Sequence, residues 1–88
     1  GVAAMSEGWF SAPVPVNVGL FGSIRNIFNA RDADQFIRER MSSSSMTIRT
    51  AHHACRAAME DPKKAEGARV AFIEAAKEAH ILANEKLS

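Results

Sequence analysis

The hydrophobic positions of this chain change period once, near residue 29. From Pro13 to Val18 they alternate, with Val14, Val16 and Val18 on one face, the period-two signature of a strand. Pro13 and Pro15 cannot donate to a ladder, so the strand belongs at a sheet edge. Gly19 and Gly22 bracket Leu20 and Phe21 and predict a turn, after which Ser23–Phe28 returns as a second strand. Two strands alone are marginal in water. The sheet must therefore lie against helices or be extended by a second copy of the chain.

Beyond residue 29 the spacing becomes three-and-four. Asn29 is suited to cap a helix, and Asp32 falls in its first turn, near the positive end of the dipole. Ala33, Phe36, Ile37 and Met41 supply the core face of this first helix. The serines Ser42–Ser45 then break it as a flexible connection. A second helix spans Met46–Glu60, with Ile48, Ala51, Cys55, Ala58 and Met59 as its buried stripe and Arg49, His53, Arg56 and Glu60 towards solvent. Asp61-Pro62 ends it, because proline disfavours helix in the residue before it and suits the first turn of the next.

The third helix is predicted from Pro62 or Lys63 to about Glu85. Within it Ala65, Ala68, Phe72, Ala75, Ala76, Ala79, Leu82 and Ala83 share one face, where only Phe72 and Leu82 have bulk. Such a face is a packing device: it should meet Ala51, Cys55 and Ala58, with Phe72 as the main anchor. Gly67 costs about 1 kcal/mol relative to alanine in a helix, which predicts a close backbone approach there. The expected fold is α+β, an N-terminal two-stranded antiparallel hairpin followed by three helices packed on it. Residues 1–8 are read as a disordered or appended N-terminus, and 9–88 as a single small domain.

Composition narrows the function classes. At 88 residues the chain has room for one core and little for a deep pocket besides. Its 47% apolar and 24% charged residues are those of an ordinary globular protein. Net charge is +1, with a mild basic bias from Arg31 to Arg56 (five arginines against three acids). No apolar run approaches the ~20 residues of a membrane span. The single cysteine, Cys55, cannot form an intramolecular disulfide and fits a reducing compartment; the expected setting is the bacterial cytoplasm.

Reactive chemistry is sparse. His52, His53, Cys55 and His80 are the classical soft or borderline metal ligands, but zinc needs about four converging groups. His52 and His53 point roughly 100° apart on a helix, and no C-x-x-C or H-E-x-x-H spacing is present. His52 and Cys55 could share an ion, with His80 joining if the last helix packs beside them. As a nucleophile, Cys55 would need a depressed pKa, which its place on an apolar stripe opposes. No catalytic residue, cofactor site or metal site is assigned.

One block of sequence resembles a known family. The pattern A-x-x-x-C-x-x-A-M at Ala51–Met59, followed by ARVAFIEAAKEA at Ala68–Ala79, is similar to a small family from rhizobia and related bacteria, the domain of unknown function 982. The strand start at Pro13-Val14 and the run RNIFNARDA at Arg25–Ala33 fit it too, so the resemblance covers roughly Trp9 to Leu82. The chain departs from it where a tryptophan-proline would close the first helix, having Arg40-Met41 and then serines. The resemblance implies two strands plus helices and brings no activity.

The remaining signal is apolar surface. Val70, Ile73 and Ile81 lie off the main stripe of the third helix, and one helix in so small a protein rarely has neighbours for two faces. The expected function is a protein-interaction or homodimerisation module rather than an enzyme. Its candidate interface is Val70, Ile73 and Ile81 with Trp9, Phe10 and Phe21; Trp9 and Phe10 would alternatively lid the core. A symmetric homodimer is the commonest closed assembly. The rival is a nucleic-acid-binding or transcription-associated regulator using Arg25, Arg31, Arg38, Arg40, Arg49 and Arg56. Glu66, Glu74, Glu78 and Glu85 on the last helix oppose that use.

Overall fold

The computed structural model describes residues 7–19, 22–41 and 45–83. Strand β1 (Trp9–Asn17) pairs antiparallel with β2 (Ile24–Asn29), and helices α1 (Ala30–Arg40), α2 (Met46–Glu60) and α3 (Ala65–Glu78) follow. The fold is α+β, hairpin first and helices after. Val14, Val16 and Ile27 turn one face of the sheet into the core, where Phe36 and Phe72 meet edge to face at 6.1 Å.

β1 begins four residues before the alternation does. The pairing slips between Trp9 opposite Asn29 and Val14 opposite Ile27, and such an irregularity erases the period-two pattern from residues that are nonetheless extended. The Asn17 N–H donates to the Ile81 carbonyl at 2.7 Å, and the Ala83 N–H donates to the Pro15 carbonyl at 3.0 Å. Odd-numbered residues of β1 therefore turn their backbone groups away from β2. The N–H groups that Pro13 and Pro15 lack would have pointed to that same side. Val16 bridges to Leu82 there, so the chain beyond α3 lines the proline edge of the hairpin.

The helix starts are capped by side chains. Asn29 Oδ1 accepts from the Asp32 N–H at 2.7 Å, and Ser45 Oγ accepts from the Ile48 N–H at 3.5 Å. Of the serine run, Ser42–Ser44 lie outside the described residues; Ser45 opens α2 and its hydroxyl donates to Glu78. Asp61 caps a 3₁₀ turn at Pro62–Lys64 that leads into α3. Glu66, in the first turn of α3, accepts from Arg69 and from Ser11 Oγ of β1. Those donors hold its carboxyl down at about 2.

α3 is shorter than its alanine pattern predicts. It stops at Glu78, and His80 takes a left-handed conformation with φ 60°. The His80 N–H donates to Lys77 and the Ile81 N–H to Ala76, the paired bonds of a Schellman cap. Glycine usually fills that position, and no glycine marks it here. Ile81, Leu82 and Ala83 therefore leave the helix and turn to β1, while Glu85 lies outside the described residues.

Two glycines act opposite to expectation. Gly67 is exposed, and a Cβ there would meet nothing within 4 Å, so no close approach explains it. Gly8, set aside with the N-terminus, is buried with φ 68°, and a Cβ on it would stand 2.8 Å from Ala30 Cβ and 3.2 Å from the Ala58 carbonyl oxygen. Its own carbonyl accepts from the Ala30 N–H, and Glu7 pairs with Arg31. Equilibrium denaturation should separate the two positions. Gly67→Ala should gain up to about 1 kcal/mol, and Gly8→Ala should lose more than about 2 kcal/mol through overpacking and left-handed strain. Equal effects at both sites would contradict this placement.

Candidate functional site

The buried carboxylate of Asp34 is the densest polar feature among the described residues. Asp34 lies on the inward stripe of α1 with Ala30, Ala33, Ile37 and Met41, and is 1% exposed. The same helical phase that buries those apolar residues turns its carboxylate towards α2. Asp34 Oδ1 lies 2.5 Å from His52 Nδ1, and Oδ2 lies 3.3 Å from Arg38 Nε and 3.8 Å from an Arg56 guanidinium nitrogen. No donor is aligned for a hydrogen bond to Oδ1, so ion-pair contacts carry its burial. A buried charge survives only when paired, and here α1 supplies one partner and α2 two.

Asp34 escaped the sequence reading because the apolar pattern of α1 is complete without it. Two signals were available: its phase with Ala30, Ile37 and Met41, and Arg38 four residues on. His52 was singled out as a metal-ligand candidate with Cys55 and His80, but its close neighbour is Asp34. His80 is exposed at the end of α3 and His53 is exposed on α2. Among the described residues no three His, Cys, Asp or Glu side chains gather as a metal site would require.

Cys55 is fully buried on α2. Burial, and secondarily the charge of Asp34, push its thiol up to about 12. At neutral pH the thiol stays protonated, and the thiolate is the form that attacks. Its small sulfur suits the seam where α2 and α3 make the largest helix-to-helix contact of the fold.

The candidate interface residues do not form one patch on α3. Val70 is 49% exposed, Ile73 is half-buried against the core, and Ile81 lies beyond the helix beside β1. Phe10 is half-buried against the core, whereas Trp9 is 65% exposed; Phe21 lies outside the described residues. Sequence reasoning missed three further exposed apolar side chains: Ile24 and Phe28 on β2 and Met46 at the start of α2. A shallow open groove of about 310 Å³, lined by Met46, Thr47, Thr50, Ala71 and Glu74, runs between α2 and α3. It offers one carboxylate, from Glu74, and two hydroxyls, from Thr47 and Thr50.

A family model described as "Protein of unknown function (DUF982)" matches residues 12–83, most of the chain. The chain belongs to the DUF982 family. No curated protein and no solved structure matches it at a significant level. The DUF982 match takes in β1 from residue 12 onwards, β2, all three helices, Asp34, His52 and Cys55, and leaves out Gly8 and the first three residues of β1. Among the described residues of this DUF982 protein, no helix is long and apolar enough to cross a membrane.

The Asp34 contacts give an asymmetric expectation for stability. Removing His52 strips the nearest partner from a buried carboxylate, so His52→Ala should cost about 1–3 kcal/mol. Adding Asp34→Leu to that variant removes the orphaned charge and should recover most of the loss, as read by denaturant midpoints. A double variant as unstable as the sum of both single changes would contradict the assignment.

Proposed function

We propose that this DUF982 protein is a small non-enzymatic interaction module that associates with itself. One observation carries the reading: five large apolar side chains, Trp9, Ile24, Phe28, Met46 and Val70, are 48–69% exposed on a domain of only 88 residues. Scattered exposed apolar residues are ordinary, but clustered ones mark binding surfaces. Ile24 and Phe28 share the outward face of one strand. The polar groups that would serve chemistry are engaged in packing: Asp34 by His52, Arg38 and Arg56, Cys55 by burial.

The nucleic-acid reading is weaker on the same grounds. Arg31 pairs with Glu7, and Arg38 and Arg56 share Asp34. Three of the six arginines named for a phosphate surface are thus partly neutralised within the fold. Glu66 and Glu74 on α3 would face phosphate with negative charge.

Light scattering across a concentration series tests self-association. The mass should rise from 9.5 kDa towards twice that value in the high micromolar range. A constant 9.5 kDa at the highest soluble concentration would contradict it.

A further inference from the structure

We propose that two copies of the chain join through the free edge of β2, antiparallel and centred on Asn26. This inference rests on the self-association proposed above and names its surface. The backbone geometry comes first. Val14 and Val16 of β1 face β2, and the register sets them opposite Ile27 and Arg25. Arg25 and Ile27 therefore direct their N–H and C=O groups to β1, and Ile24 and Asn26 direct theirs the other way; Phe28, beside the slip in register, keeps its exposed side chain on the same face as theirs. Among the described residues, none of these three joins a backbone hydrogen bond beyond the strand ladder.

Edge strands are normally blunted by proline, lysine, a bulge or a covering segment. In this hairpin the prolines, the irregular register and the covering segment 81–83 all belong to β1. β2, with the sequence IRNIFN, has none of them. Its outward side chains are Ile24 at 57% exposure, Asn26, and Phe28 at 48%.

Those three residues are self-complementary about a two-fold axis. Centring the pair on Asn26 sets Ile24 opposite the partner's Phe28, Phe28 opposite the partner's Ile24, and the two asparagines against each other. Aromatic-to-β-branched pairs are among the favourable cross-strand combinations. Arg25 then lies opposite the partner's Ile27, whereas centring on Arg25 would place like charges directly across from one another. The charge pattern thus selects the same register as the apolar pattern.

Area sets the strength. A six-residue edge is about 20 Å long, and pairing it covers on the order of 400 Å² per partner, about half of a standard interface. An interface of this size belongs with weak, transient associations. Its product is a continuous four-stranded sheet, β1–β2–β2–β1, in place of two marginal hairpins.

Amide hydrogen exchange on the full chain, with sedimentation velocity from about 10 μM to 1 mM, tests this directly. The Ile24 and Asn26 amides should gain protection with concentration, while those of Arg25 and Ile27 stay constant. Phe28→Lys and Asn26→Pro should sediment as monomers, with circular dichroism confirming that Phe28→Lys is folded. Val70→Glu, on α3, should dimerise like the parent. A dimer that survives Phe28→Lys but is lost in Val70→Glu would overturn the β2 surface while leaving self-association intact. A parent chain monomeric at 1 mM would overturn both.

Discussion

The rest of the fold depends on the close seam between α2 and α3. Ala51, Cys55 and Ala58 on one helix and Ala65, Ala68, Ala75 and Ala76 on the other are all buried. Side chains this small let helix backbones approach, so that a single large residue, Phe72, can fill the space beneath and meet Phe36 of α1. The small residue at Ala58 also leaves room for Gly8 to pack over the α2 backbone, which fixes where the chain enters β1. At its far end the same helix pair delivers residues 81–83 to the proline edge of β1. One packing choice thereby positions both ends of the hairpin.

Polar chemistry in the interior serves that packing. Asp34 draws His52 and Arg56 of α2 towards α1, joining α1 to the seam electrostatically. Burial of Cys55, and secondarily the charge of Asp34, keep its thiol protonated. Among the described residues, the backbone groups without a partner strand lie on the outer edge of β2, beside the exposed side chains of Ile24 and Phe28. The interior argues for a stable scaffold, and the surface argues for association.

The readable parts of the chain were those where local chemistry and tertiary packing agree. Asn29, Ser45 and Pro62 mark element boundaries by their own hydrogen-bonding limits, so α1 and α2 stand where the residues place them. The unreadable parts were set by contacts distant in sequence. His80 ends α3 in a conformation usually given to glycine, because the chain beyond it bonds to β1. Gly8 looks like a loose terminus until Ala30 and Ala58 surround it. Asp34 hides within an apolar stripe, its partners being 18 and 22 residues away as well as on its own helix. The self-complementary edge of β2 emerges only once the register shows which of its residues face outward.

The central claim is that the alanine seam tolerates nothing larger. Equilibrium unfolding of Ala68→Leu, at a position with no exposed surface, tests it most directly. Ala68→Leu should lose about 1–3 kcal/mol from overpacking, with the helical signal retained. Unchanged or increased stability would mean that the seam has space to spare, and that small residues are not what holds these helices together.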